Sequence, residues 1–165
     1  MEKLPRHTYI FSDNIDAETV QSLIDTLSVH DKIDLYFTTS GGETFAMEAL
    51  IHYLNARKKD IEIYLTDVVA SCGAFILVDF QGKVHLSESL ECVLFHVADR
   101  MLYTQRKNDL EIKTLKEQVK EYNTIYADKF KSLGFTIKEI VQYKQGKDVI
   151  LYRKDFHRLI LPQAR

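Results

Sequence analysis

Two hydrophobic periods alternate along the first half of the chain. Residues 8–11 form a short β-prone run. Residues 16–27 carry Val20, Leu23, Ile24 and Leu27, the stripe of an amphipathic helix. Ile33, Leu35 and Phe37 alternate with more polar neighbours and predict a strand over 33–38, which Gly41-Gly42 ends. Met47, Leu50, Ile51 and Leu54 mark a second helix. Ile61, Ile63 and Leu65 mark another strand, and residues 71–79 a third helix. Residues 83–86 and 91–96 are two further short strands.

Strand and helix in alternation imply βαβ units and a mostly parallel sheet, the α/β class. Right-handed crossovers bring the carboxyl ends of such strands to one edge, where ligands usually sit. Two segments there stand out as loops, 39–42 and 67–73.

The second half changes period. From about 108 to 133 the chain is polar, with Ile112, Leu115, Val119, Tyr122, Ile125, Tyr126 and Phe130 recurring at helical spacing. This predicts one long helix of about seven turns, far above the average length. Gly134 is placed to cap it, and Thr136 with Glu139 forms a capping box for a short following helix. A turn at Gly146-Lys147-Asp148, a strand at 149–152 and a helical tail from Lys154 complete the chain. The long apolar stripe is expected either to pack on its own sheet or to be buried in a partner.

The 165 residues suit one domain with a full core, and no repeat or linker divides them. A single domain over 1–165 is expected, its core at about 8–106 and 135–160 and its long helix at about 108–133. With 22 Lys and Arg against 24 Asp and Glu, the formal charge is -2, which gives no electrostatic reason for nucleic-acid binding. Cys72 and Cys92 are the only cysteines, too few for a disulfide framework or a cysteine-built zinc site. The first residues hold no apolar core of signal-peptide length, and no run approaches the roughly 20 apolar residues of a membrane span. A cytoplasmic protein without membrane attachment is expected.

Candidate chemistry concentrates in a few positions. Ser71 stands between a strand and a helix, where free backbone N–H groups favour developing negative charge. A small residue before it and Gly73 after it permit a tight turn. Taken alone, Ser71 reads more simply as a helix N-cap. Gly41-Gly42 ends a neighbouring strand, and by itself is a tight strand-to-helix turn. Together the two segments could aim the N–H groups of Gly42 and Cys72 at one oxygen, as an oxyanion hole requires. His96 ends the apolar run Cys92-Val93-Leu94-Phe95 and is placed for a general base. His85 ranks second; His52 and His157 read as surface residues, and His7 and His30 complete the set. Asp148, in a turn before an apolar strand, could orient a histidine, with Asp155 and Asp99 as alternatives.

These residues resemble the proteolytic subunit of the Clp protease, the ClpP family. The motifs are Ser40-Gly41-Gly42, Ala70-Ser71-Cys72-Gly73-Ala74-Phe75 and Leu94-Phe95-His96. The spacings agree as well: 29 residues from Gly42 to Ser71 and 25 from Ser71 to His96. The resemblance spans about residues 8–152. It implies a ClpP/crotonase-like spiral of βαβ units with a protruding long handle helix. It also implies peptide-bond hydrolysis through an acyl-enzyme. Ser71 would be the nucleophile, His96 the base and acid, and Asp148 the residue orienting His96. The backbone N–H groups of Gly42 and Cys72 would form the oxyanion hole. No metal or organic cofactor is implied. The substrate would be a peptide or unfolded protein, and the assembly a homo-oligomeric ring, heptameric or stacked.

The chain also departs from that pattern. Ser40 stands where the family has proline, and Val97-Ala98-Asp99-Arg100 follows the histidine instead of Gln-Pro and a glycine-rich strand. Asp155-Phe156-His157-Arg158-Leu159-Ile160 replaces the family's Ala-x-x-x-Gly-Leu-x-Asp stretch. About seven residues precede the first strand, so the segment that docks an ATPase unfoldase in the family is expected to be short or missing. Two other readings follow: an inactive ClpP-like subunit that regulates or scaffolds a paralogue, and an acyl-CoA enzyme of the crotonase kind.

Overall fold

The computed structural model describes residues 5–97 and 109–161. Six strands form one sheet: β1 (His7–Ser12), β2 (Ile33–Thr39), β3 (Ile61–Ala70), β4 (Lys83–Leu86), β5 (Cys92–Phe95) and β6 (Val149–Tyr152). The order across the sheet is β1-β2-β3-β5-β6, with β4 also on β3. All pairs are parallel except β5 with β6. This is the α/β class with a parallel-rich sheet that the alternation predicts.

Two helices, α1 (Ala17–Ser28) and α2 (Thr44–Ala56), form the crossovers between the first three strands. Asp16 caps α1 through a capping box with Thr19, which is why the helix starts there. The Thr19 backbone N–H holds the Asp16 carboxyl below its usual range. The predicted stripes Val20, Leu23, Leu27 and Met47, Leu50, Ile51, Leu54 are all buried. They meet Ile33, Leu35, Phe37, Ile61, Ile63 and Leu65 on one face of the sheet. On the other face, Ile10, Tyr36, Tyr64 and His85 line up across four strands. Tyr36 stacks on Tyr64 and Tyr64 on His85, at centroid distances of 4.9 and 4.5 Å.

β3 differs from expectation. The segment read as a loop at 67–70 is strand, and only from Ser71 does the chain turn. Asp67 has φ 50° and divides the strand in two. Residues before it pair with β4, and residues after it pair with β5. A turn-prone aspartate at a left-handed backbone position reads as a loop, yet the ladder resumes beyond it.

Ser71–Phe75 is a 3-10 turn that runs into the short helix α3 (Ile76–Asp79). The long helix α4 spans Asp109–Ser132, and α5 spans Ile137–Lys144. Gly134, at φ 89°, ends α4, with Phe135 N–H donating back to Phe130 O at 3.2 Å. Thr136 and Glu139 make the predicted capping box of α5. Of the α4 stripe, Tyr126 and Phe130 are buried in the chain's own core. Phe130 sits edge-on to Phe95 and Tyr143 and flat on Phe135. Ile125 is 48% exposed. The side chains of Ile112, Leu115 and Tyr122 lie outside those described. The tail, Arg153–Arg158, is a 3-10 helix.

Candidate active site

The site lies at the carboxyl ends of β2, β3 and β5. β3 delivers Ser71 and β5 delivers His96, and Ala70 pairs directly with Leu94. One residue beyond Ala70 and two beyond Leu94, Ser71 Oγ and His96 Nε2 stand 2.5 Å apart. Ser71 has φ 58°, a strained position for a side chain other than glycine. The strain turns the chain sharply out of β3, so the hydroxyl faces the neighbouring strand end.

The glycine turn packs against the serine. Gly41 and Gly42 have φ 105° and 151°, which favour glycine. A Cβ on Gly42 would lie 2.0 Å from Ile15 O. That closeness lets Ile15 N–H donate to Gly41 O and Glu43 N–H donate to Ile15 O, which locks the turn. Backbone hydrogen bonding from Gly42, Cys72 and Gly73 acts to lower the Cys72 thiol. Burial nevertheless pushes that thiol up to about 11. Gly42 and Cys72, the two residues singled out for an oxyanion hole, flank Ser71: Gly42 follows the Gly41 that packs against it, and Cys72 is the next residue in the chain.

Asp148 continues the β5–β6 ladder. Phe95 pairs with Val149, so Asp148 stands opposite His96, one step beyond the last pair. Its carbonyl accepts from Gln142 Nε2 at 2.6 Å. His96 and Asp148 are both exposed. Among the described residues, no hydrogen bond or ion pair joins their side chains. Asp155 is engaged elsewhere: its carboxylate accepts from Tyr152 N–H at 3.1 Å and lies 3.7 Å from Arg158. Asp99 lies outside the described residues.

The other histidines are away from Ser71. His85 pairs with Tyr64, seven residues back along β3 and so on the order of 20 Å away. Its Nε2 bonds Glu62 at 2.9 Å. His7 stacks on His30 at the opposite end of the sheet, at 3.9 Å. His52 is exposed on α2, and His157 Nδ1 donates to Lys154 O in the tail.

Thr39 is a positioning residue that the sequence reading passed over. It is buried; its Oγ1 donates to Asp13 O at 2.7 Å and accepts from Gly41 N–H at 3.0 Å. Its methyl group fills the space where a Cβ on Gly73 would lie, at 2.2 Å. One side chain thus braces both turns of the site. A threonine ending a buried strand just before a glycine pair is the signal that could have found it. Beside it opens a cleft of about 300 Å³, lined by Asp13, Asn14, Thr38, Ser40 and Val68 among others.

A family model for Clp protease matches residues 3–149, almost the whole of the chain, including β2, β3 and β5 but only the first residue of β6. The chain belongs to the Clp protease family. It is therefore a ClpP-like protein, from a family of peptidases. No curated protein matches it in direct comparison. Among the described residues no three His, Cys, Asp or Glu side chains gather as a metal site, and no described helix is long and apolar enough to cross a membrane.

Proposed function

We propose that this Clp protease family member is a serine endopeptidase acting through Ser71, His96 and Asp148. In the first step His96 Nε2 takes the Ser71 proton as Oγ attacks the scissile carbonyl carbon. The oxyanion accepts hydrogen bonds from the N–H groups of Gly42 and Cys72. His96 then gives its proton to the leaving amine, the C–N bond breaks, and an ester links Ser71 to the acyl half. Water, deprotonated by His96, attacks that ester and restores the serine. Asp148 holds the His96 tautomer and offsets the imidazolium charge. Part of the peptide is proposed to lie in the cleft lined by Thr38, Thr39, Ser40 and Val68.

The observation that carries this reading is the 2.5 Å contact between Ser71 Oγ and His96 Nε2. A fluorophosphonate probe is expected to label Ser71, and both Ser71→Ala and His96→Ala to abolish labelling. Asp148→Asn is expected to slow it by several orders of magnitude, the loss that a misplaced tautomer brings being about 10⁴-fold. A folded sample in which Ser71 stays unlabelled overturns the reading.

One observation favours a second reading, a ClpP-like subunit without activity of its own: no bond joins His96 to Asp148 among the described residues. The same labelling experiment separates the two. The family's homo-oligomeric ring is proposed for this chain as well, with α4 in the place of the handle helix.

A further inference from the structure

Ser71 opens a helical segment whose far end is held by two other helices. The segment runs from Ser71 to Asp79, a 3-10 turn followed by α3, and spans about 14 Å. At its end the Asp79 carboxylate accepts from Tyr126 Oη at 2.6 Å and from Lys129 Nζ at 2.5 Å. Both partners lie on α4, three residues apart and so on one side of the helix. Midway along the segment Phe75 stacks on the Tyr126 ring, centroid to centroid at 4.0 Å. Lys129 in turn lies over the same ring at 4.9 Å. From α2, Asn55 Nδ2 donates to Asp79 O at 3.0 Å while its oxygen accepts from Gln81 N–H at 2.8 Å.

The pitch of a helix this short is set by what holds its ends, because two turns have little rigidity of their own. At the near end Ser71 is strained. A hydrogen bond to His96 alone cannot fix both the position and the direction of Oγ. The Asp79 carboxylate, only 20% exposed, is bound by two charge-assisted bonds from one helix. That grip supplies the second fixed point.

We infer that Asp79 is a positioning residue, and that with Tyr126 and Lys129 it sets the pitch at which Ser71 is presented to His96. The inference rests on the reading of Ser71 as the nucleophile. It adds that the alignment of the site depends on the last two turns of α4.

The test compares folded variants by two readouts: the rate of fluorophosphonate labelling at Ser71, and the ring resonance of His96 by NMR. Tyr126→Phe keeps the ring on Phe75 and removes only the hydroxyl, and Asp79→Ala removes both bonds. Asn123→Ala is the control. It removes the hydrogen bond that Asn123 Oδ1 accepts from Tyr143 Oη at 3.3 Å and leaves both partners of Asp79 in place. Tyr126→Phe and Asp79→Ala are expected to slow labelling about tenfold and to move the His96 resonance, since small misplacements of a nucleophile are costly. For a peptide ester the loss falls on kcat with KM unchanged. Asn123→Ala is expected to leave both readouts as in the unmodified chain. Unchanged labelling and an unmoved His96 resonance in folded Tyr126→Phe and Asp79→Ala overturn the inference. If the unmodified chain is not labelled, the peptidase reading falls. The His96 resonance then decides alone: a shift upholds the Asp79 coupling, and no shift removes it.

Discussion

A Cβ built on Gly41 would lie 2.3 Å from Ser71 Cβ and 2.9 Å from its Oγ. The glycine therefore sits where a substituent would collide with the Ser71 side chain, and its φ of 105° adds strain to any replacement. Gly41→Ala is expected to reduce fluorophosphonate labelling on the order of 100-fold while far-ultraviolet circular dichroism stays unchanged. Normal labelling in Gly41→Ala would mean that the turn yields without moving Ser71. Cys72 shows how much the environment of one residue decides. It adjoins Ser71 in sequence and is the stronger nucleophile by element. Its thiol is buried and stays protonated at neutral pH, which makes it a poor nucleophile there. The Ser71 and His96 pairing was legible because each lies at the end of an apolar strand, and parallel neighbours bring such ends together. The relation of Asp148 to His96 was not, because it depends on an antiparallel register between strands 52 residues apart in sequence.

Secondary-structure elements were read from periodicity with few errors, and the errors have physical causes. β3 was cut short because Val68 and Val69 break the alternation and Asp67 is a turn former. Pairing with β5 keeps both in the ladder. The grip of α4 on Asp79 was invisible because Tyr126 and Lys129 look like ordinary positions on a polar helix. Their spacing on one side of that helix was the available clue. On the open face of the sheet, β3 and β4 share an ion network: Glu62 is bonded by His85 at 2.9 Å and Lys83 at 3.2 Å, with Arg6 at 3.8 Å. Burial pushes the Glu62 carboxyl up, but those bonds and charges outweigh it and hold it below the usual range. A carboxyl depressed in the folded state adds stability above its unfolded value. That stability is lost as pH falls below about 4.5 toward the folded value. Glu62→Gln is expected to cost about 1 kcal/mol or less at pH 7, since the partners are partly exposed, and the difference should vanish by acid pH. Urea titrations at two pH values check this; a difference that persists undiminished in acid would contradict it.

At the scale of the whole molecule, several large apolar side chains remain exposed. Ile10 is 67% exposed, Tyr152 51%, Ile150 38% and Val68 37%. They lie on the sheet face that α1 and α2 leave uncovered. Isolated exposed hydrophobics are common, but several on one sheet face suit an interface. Sedimentation velocity at micromolar concentration is expected to show a homo-oligomer. A single species of monomer mass would count against the ring. One further consequence concerns changes in chain length. β3 touches β4 before Asp67 and β5 after it, so this single strand measures out the distance between the two parts of the sheet. An insertion or deletion between Asp67 and Ala70 would carry Ser71 past His96 by about 3.3 Å and reverse which way it points. The protein can trade side chains in that stretch, but it cannot trade its length.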